Sequence, residues 1–138
     1  MKANNWVLGE DSGLEVEALN NLPGIHSARY AGPKAADSEN VAKLLKMLQL
    51  RTATNRKARF LCTIVAYSPS GEEMIFTGEM SGIIERTPRG QMGFGYDPVF
   101  TPQGETKTLA ELGPAFKTKH SHRAKATLEF IEKLKSLG

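Results

Sequence analysis

Glu10, Asp11, Ser12 and Gly13 set two carboxylates and a hydroxyl side by side, directly after the apolar triplet Trp6-Val7-Leu8. Adjacent carboxylates on a glycine-containing turn can reach one cation, and magnesium favours one or two carboxylates completed by water and phosphate oxygens. Ser12 adds a hydroxyl that could touch the same ligand. The alternative is a solvated turn in which Asp11 and Ser12 bond local backbone amides.

A second group is Gly93-Phe94-Gly95-Tyr96-Asp97-Pro98. Glycines on both sides of Phe94 leave its ring free to stack on a nucleobase. Asp97 could accept hydrogen bonds from a base edge or a sugar. The other reading is a turn whose aromatics fill the core. A third group, Lys117 to Arg123 ("KTKHSHR"), places Lys117, Lys119, His120, His122 and Arg123 at or before a helix start. Helix starts attract anions, and an arginine fork can read a ring carbonyl and ring nitrogen together. The same residues could instead form a solvated basic loop. A metal site on His120 and His122 lacks a third ligand in view. Arg29 could face a phosphate or only pair with a carboxylate. Cys62 has no flanking base, and Asp37 and Asn40 read as helix caps.

These groups need elements to hold them. Trp6-Val7-Leu8 reads as a short strand ending at the Gly9–Gly13 turn, and "NNLPGIHSARYAG" from Asn20 reads as loop. Asp37 or Ser38 should cap a helix carrying Val41, Leu44, Leu45 and Leu48 at helical spacing. "FLCTIVAY", Phe60 to Tyr67, reads as a strand buried on both faces. A turn at Ser68–Gly71 leads to a return strand at Met74–Thr77, and Gly82–Glu85 reads as a further strand. Thr108 and Glu111 form a capping box that should open a short helix. Ser121 should cap a last helix with Ala124, Leu128 and Ile131. This order predicts an α/β fold with a mixed, twisted central sheet flanked by helices, partly antiparallel.

Composition bounds the rest. The chain has 138 residues, a formal charge of +3, 40% hydrophobic and 24% charged residues. These values suit one domain over residues 1–138 with a real core. The charge is too mild, and the aromatics too scattered, for a nucleic-acid interface. One cysteine admits no intrachain disulfide, which points to the cytoplasm. No stretch suits a membrane span or a signal peptide.

Taken together, the segments "EDSGLEVEALNNLPGIHSARYAG", "DSENVAKLLKML", "RKARFLCTIVAY", "GIIERTPRGQMGFGYDPVF", "KTLAELGPAFK" and "SHRAKA" resemble the inosine triphosphate pyrophosphatase (ITPase-like) family over Trp6 to Ala126. The resemblance implies an ITPase-like sheet architecture, related to anticodon-binding and Maf-like folds. It also implies a magnesium-dependent cytoplasmic hydrolase, usually a homodimer, that converts ITP, dITP and XTP to the monophosphate and pyrophosphate. By position, Asp11 matches the family's proton acceptor and magnesium-binding aspartate; Glu10 stays a candidate metal carboxylate on its adjacency to Asp11. Ser12 matches a substrate contact. Phe94, Gly95, Tyr96 and Asp97 match the segment that holds the nucleoside, and Lys117, His122 and Arg123 match residues around the base. Donors from Arg123 and Lys117 suit a six-keto purine better than adenine.

Two departures bear on this. Glu10 stands where the family pattern has aspartate. No Ser/Thr-x-Asn-x-x-Lys phosphate loop occurs near Met1, so the chain reads as starting after the family's front end. That predicts weakened hydrolysis and exposed apolar sheet surface. The competing reading is a purine-nucleotide-binding or subunit-interaction module with weak or no catalysis. A relative of septum-formation-inhibitor type is disfavoured by "SHR" together with "GFGYDP".

Overall fold

The computed structural model describes residues 6–51 and 54–137, so the reading of Met1 and its neighbours lies outside the described residues. Five strands form one sheet: β1 (Val7–Val16), β2 (Leu22–Gly24), β3 (Lys57–Tyr67), β4 (Glu73–Ile84) and β5 (Phe100–Pro102). Their spatial order is β2-β1-β3-β4-β5. Every ladder among the described residues is antiparallel, which narrows the mixed sheet expected above. The helices are α1 (Asp37–Leu50), α2 (Leu109–Leu112), α3 (Pro114–His120) and α4 (His122–Leu137).

Burial along β3 alternates. Ala58, Phe60, Cys62, Ile64 and Ala66 are buried, while Leu61, Thr63 and Val65 between them are only partly covered. The strand expected to be buried on both faces is therefore buried on one. The reason is that α1 and α4 lie on the same side of the sheet. Val41, Leu44 and Leu48 of α1 pack with Leu14, Val16, Phe60, Met80 and Ile84. Ala126 and Phe130 of α4 pack with Cys62, Ile64, Ala66 and Phe76. On the opposite face Ile75 is 60% exposed, and Val7, Tyr67 and Ile83 are exposed as well.

Two boundaries expected from composition fall elsewhere. Gly9–Gly13 is not a turn: β1 runs through it, paired with β3 from Val7↔Tyr67 to Val16↔Ala58. Ten residues of ladder on a strongly apolar partner outweigh the local turn preference of Glu-Asp-Ser-Gly. Likewise the strands read at Met74–Thr77 and Gly82–Glu85 are one strand, β4, which continues through Gly78. A Cβ on Gly78 would overlap the His122 carbonyl and the Ala126 amide. Glycine here lets α4 lie directly on the sheet.

The turn at Ser68–Gly71 forms as expected, with the Glu72 N–H donating to Ser68 Oγ at 3.0 Å. Thr108 and Glu111 form the expected capping box on α2. Ser121 Oγ accepts the Ala124 N–H at 3.0 Å and caps α4. Asp37 does not cap α1, because Ala36 holds the extended cap position and Asp37 is already helical.

Candidate functional site

Three segments far apart in sequence meet around one cavity of about 480 Å³. From β1 comes Ser12. From the loop before β5 come Phe94, Gly95, Tyr96 and Asp97. From α3 and the start of α4 come Lys117, His122 and Arg123. A larger hollow, about 660 Å³, lies elsewhere, lined by residues such as Lys57, Arg59 and Glu105. None of the residues singled out in the sequence reaches it.

The glycine-rich loop is held from inside. Asp97 is 2% exposed, and its Oδ2 accepts both the Phe94 N–H at 3.0 Å and the Lys117 ammonium at 2.9 Å. A side chain on Gly93 would collide with that carboxylate, and the residue's φ of 85° also favours glycine. So one oxygen of the Asp97 carboxylate, expected to be open to a base or sugar, is already engaged by the loop and by α3. Tyr96 is buried, and its hydroxyl donates to the Ser27 carbonyl at 2.7 Å. Burial pushes its ionisation well above the usual tyrosine range.

Phe94 is the exception, 65% exposed. The Lys117 ammonium stands over its ring, 4.0 Å from the centroid, an attractive cation–π arrangement. An ammonium carries three N–H groups, so the bond to Asp97 leaves two for another acceptor.

His122 is clamped. Its Nε2 lies 2.6 Å from Ser12 Oγ, and its ring stacks on Phe60 with centroids 5.1 Å apart and planes within 16°. Burial, reinforced by the charges of Arg123 and Lys117, lowers its pKa to about 4. The ring is therefore neutral near pH 7 and can offer one donor and one acceptor. His120 points elsewhere, against Phe116 at 4.7 Å.

The two carboxylates separate. Successive strand residues face opposite sides of a sheet. Ser12 and Glu10 share the helix-covered face, where Glu10 Oε1 accepts from Arg123 Nε at 2.7 Å. Asp11 is exposed on the other face and lines a small recess of about 70 Å³ with Thr63 and Leu61. The expectation that Glu10 and Asp11 converge on one cation fails in this geometry, because it assumed a turn where the backbone is extended. Among the described residues no group of three or more His, Cys, Asp or Glu side chains is placed to hold a metal.

Composition and spacing missed several wall residues. Asp37 Oδ2 accepts the Gly95 N–H at 2.8 Å and tethers the loop to α1. Asn40, read as a cap, is buried and ties α1 to the Ala28 carbonyl and the Ala31 amide. Ser27 Oγ accepts from Leu14 N and donates to Gly24 O. Apart from Gly24, three residues before Ser27, their partners lie 9 to 58 residues away, beyond any local pattern.

The profile of the Ham1 family matches residues 1–133. The chain belongs to the Ham1 family. Among its relatives, a dITP/XTP pyrophosphatase of Bdellovibrio bacteriovorus is 63% identical over 138 residues, covering 100% of this chain and 69% of the relative. A dITP/XTP pyrophosphatase of Opitutus terrae is 43% identical over 132 residues, covering 96% of this chain and 65% of the relative. The chain thus spans about two thirds of their length. The Ham1 protein of Staphylococcus aureus superposes with a TM-score of 0.92 at 42% identity, covering 98% of this chain and 69% of that one. A HAM1 protein from Coxiella burnetii superposes at 0.88 with 39% identity, covering 96% of this chain and 68% of that one. The α/β fold is the Ham1 fold over this span.

The lowered pKa of His122 in this Ham1-family chain gives a stability prediction. The folded state disfavours protonation, so the stabilising contribution is complete above about pH 6.5 and is lost as pH falls through about 4. After allowance for partial exposure, about 2 kcal/mol should disappear across that window. Urea midpoints of the unaltered chain and His122→Gln, measured at pH 7 and pH 4, should show a smaller acid loss in the variant. Equal losses would mean that His122 titrates normally.

Proposed function

We propose that this chain binds deaminated purine nucleoside triphosphates (ITP, dITP and XTP) and hydrolyses them to the monophosphate and pyrophosphate. The observation that carries the reading is the shared cavity: Phe94, Lys117, His122 and Arg123 line it together, with the Lys117 ammonium over the exposed ring of Phe94. An exposed ring accepts any base by stacking, worth roughly 1–3 kcal/mol per base. The donors supply the choice. A six-keto purine presents acceptors to them, whereas adenine presents an amino group and leaves them unpaired. The names of the relatives agree with such substrates.

Asp11 is the proposed proton acceptor for water. On the side away from β3, β2 pairs with β1 only over Leu14–Val16. The backbone beside Ser12 and Asp11 is therefore an open edge among the described residues. A nucleotide with its base in the cavity would cross this edge to bring its phosphates to Asp11. Magnesium is proposed to accompany the triphosphate, where it would neutralise phosphate charge. A magnesium ion shared by Glu10 and Asp11 does not suit their opposed directions. A single ITPase-like domain, a homodimeric state and a cytoplasmic setting belong to the same proposal. Among the described residues no helix is long and apolar enough to cross a membrane.

A second reading, nucleotide binding with little turnover, is favoured by one observation: the carboxylates do not converge. Pyrophosphate release from ITP, XTP and ATP by the purified chain, with and without magnesium, separates the two. Release from ITP and XTP well above ATP supports the enzyme. Tight ITP binding without release supports the second reading. In either case Phe94→Ala should weaken ITP binding about tenfold, and an unchanged affinity would remove the ring from the site.

A further inference from the structure

Two side chains on one face of β1 grip two consecutive residues of α4. Ser12 meets His122 at 2.6 Å, and Glu10 meets Arg123 at 2.7 Å. Glu10 and Ser12 are two residues apart, so both project from the same side of the strand. His122 and Arg123 open the helix that Gly78 admits onto the sheet. Of the Glu10–Arg123 pair, only Arg123 lines the cavity.

The contact is made through Nε. A guanidinium has five N–H groups, and engaging Nε leaves the four on its terminal amino groups to be shared between the Cys62 thiol and a ligand. The thiol of Cys62 is hydrogen-bonded to the same guanidinium. The side chains are 55% and 41% exposed, so the ion pair adds little stability. Its effect is geometric. A free arginine samples many rotamers and loses that freedom on binding, whereas one held by its Nε is already fixed in plane.

We propose that Glu10 is a positioning residue for base recognition. It holds Arg123 by Nε so that the terminal amino groups face the cavity and donate to the six-keto oxygen and N7 of a purine. This rests on the base-pocket reading given above and replaces the metal-ligand role expected for Glu10.

The test is equilibrium binding of ITP and ATP to the purified chain in EDTA, by calorimetry. The variants are Glu10→Ala, Arg123→Ala and the pair together. Glu10→Ala should weaken ITP about tenfold and leave ATP unchanged. The double variant should bind ITP no more weakly than Arg123→Ala alone, because both changes remove one coupled contact. The thermal midpoint of Glu10→Ala should match that of the unaltered chain. Full ITP affinity of Glu10→Ala in EDTA, with a defect only when magnesium is added, would overturn the proposal and make Glu10 a metal carboxylate. An unaltered chain that binds ITP no better than ATP would overturn the base pocket itself, and this proposal with it.

Discussion

Asp11→Asn is expected to lower pyrophosphate release from ITP by at least about a hundredfold, the usual scale for losing a positioned proton acceptor. The change is nearly isosteric, and Asp11 is exposed on the open face of the sheet. Folding stability should therefore move by no more than about 0.5 kcal/mol. ITP affinity in the cavity should also hold, because Asp11 does not line it. The diagnostic result is thus a loss of turnover at constant binding and constant urea midpoint. Unchanged turnover would transfer proton acceptance to another group. Weakened binding in step with turnover would place Asp11 against the ligand before any chemistry occurs.

The second large effect is structural. Gly78→Val should destabilise the chain by about 3 kcal/mol and abolish nucleotide binding together with it. A Cβ at this position meets backbone atoms of α4, the His122 carbonyl and the Ala126 amide, rather than a side chain that could swing away. The helix must rise off the sheet, carrying His122 from Ser12 and Arg123 from Glu10. Thr77→Val, one residue earlier, is the control. Thr77 is exposed on the uncovered face of β4, and its replacement should shift stability by no more than about 0.5 kcal/mol. Equal urea midpoints for the two variants would show that α4 does not depend on this close approach.

The sequence made some of this legible and hid the rest for physical reasons. The helix at Val41–Leu48 was readable because one stripe of apolar residues must meet one core. The caps at Thr108 and Ser121 were readable because capping is local chemistry. The turn expected at Gly9–Gly13 went astray because composition reports local preference, whereas a ten-residue ladder with β3 is a tertiary interaction. That single difference carried into the site, since an extended backbone sends Glu10 and Asp11 to opposite faces. The segment Phe94–Asp97 lines the cavity, and its members divide the work. Phe94 is open to solvent, while Asp97 and Tyr96 brace the loop from within. Such a division depends on which atoms are buried, and spacing does not encode it.

Ser12 and His122 are joined across 110 residues of chain. No stretch of the polypeptide contains the cavity by itself. Loop closure over such distances is entropically slow, so the pocket comes into being only when the β1–β3–β4 ladder and α4 have all docked. A partly folded chain can bury much of its apolar surface and still offer a purine nothing to bind. Occupancy by nucleotide therefore counts only completed molecules, and ligand added during refolding should draw the chain toward that final state without speeding the steps before it.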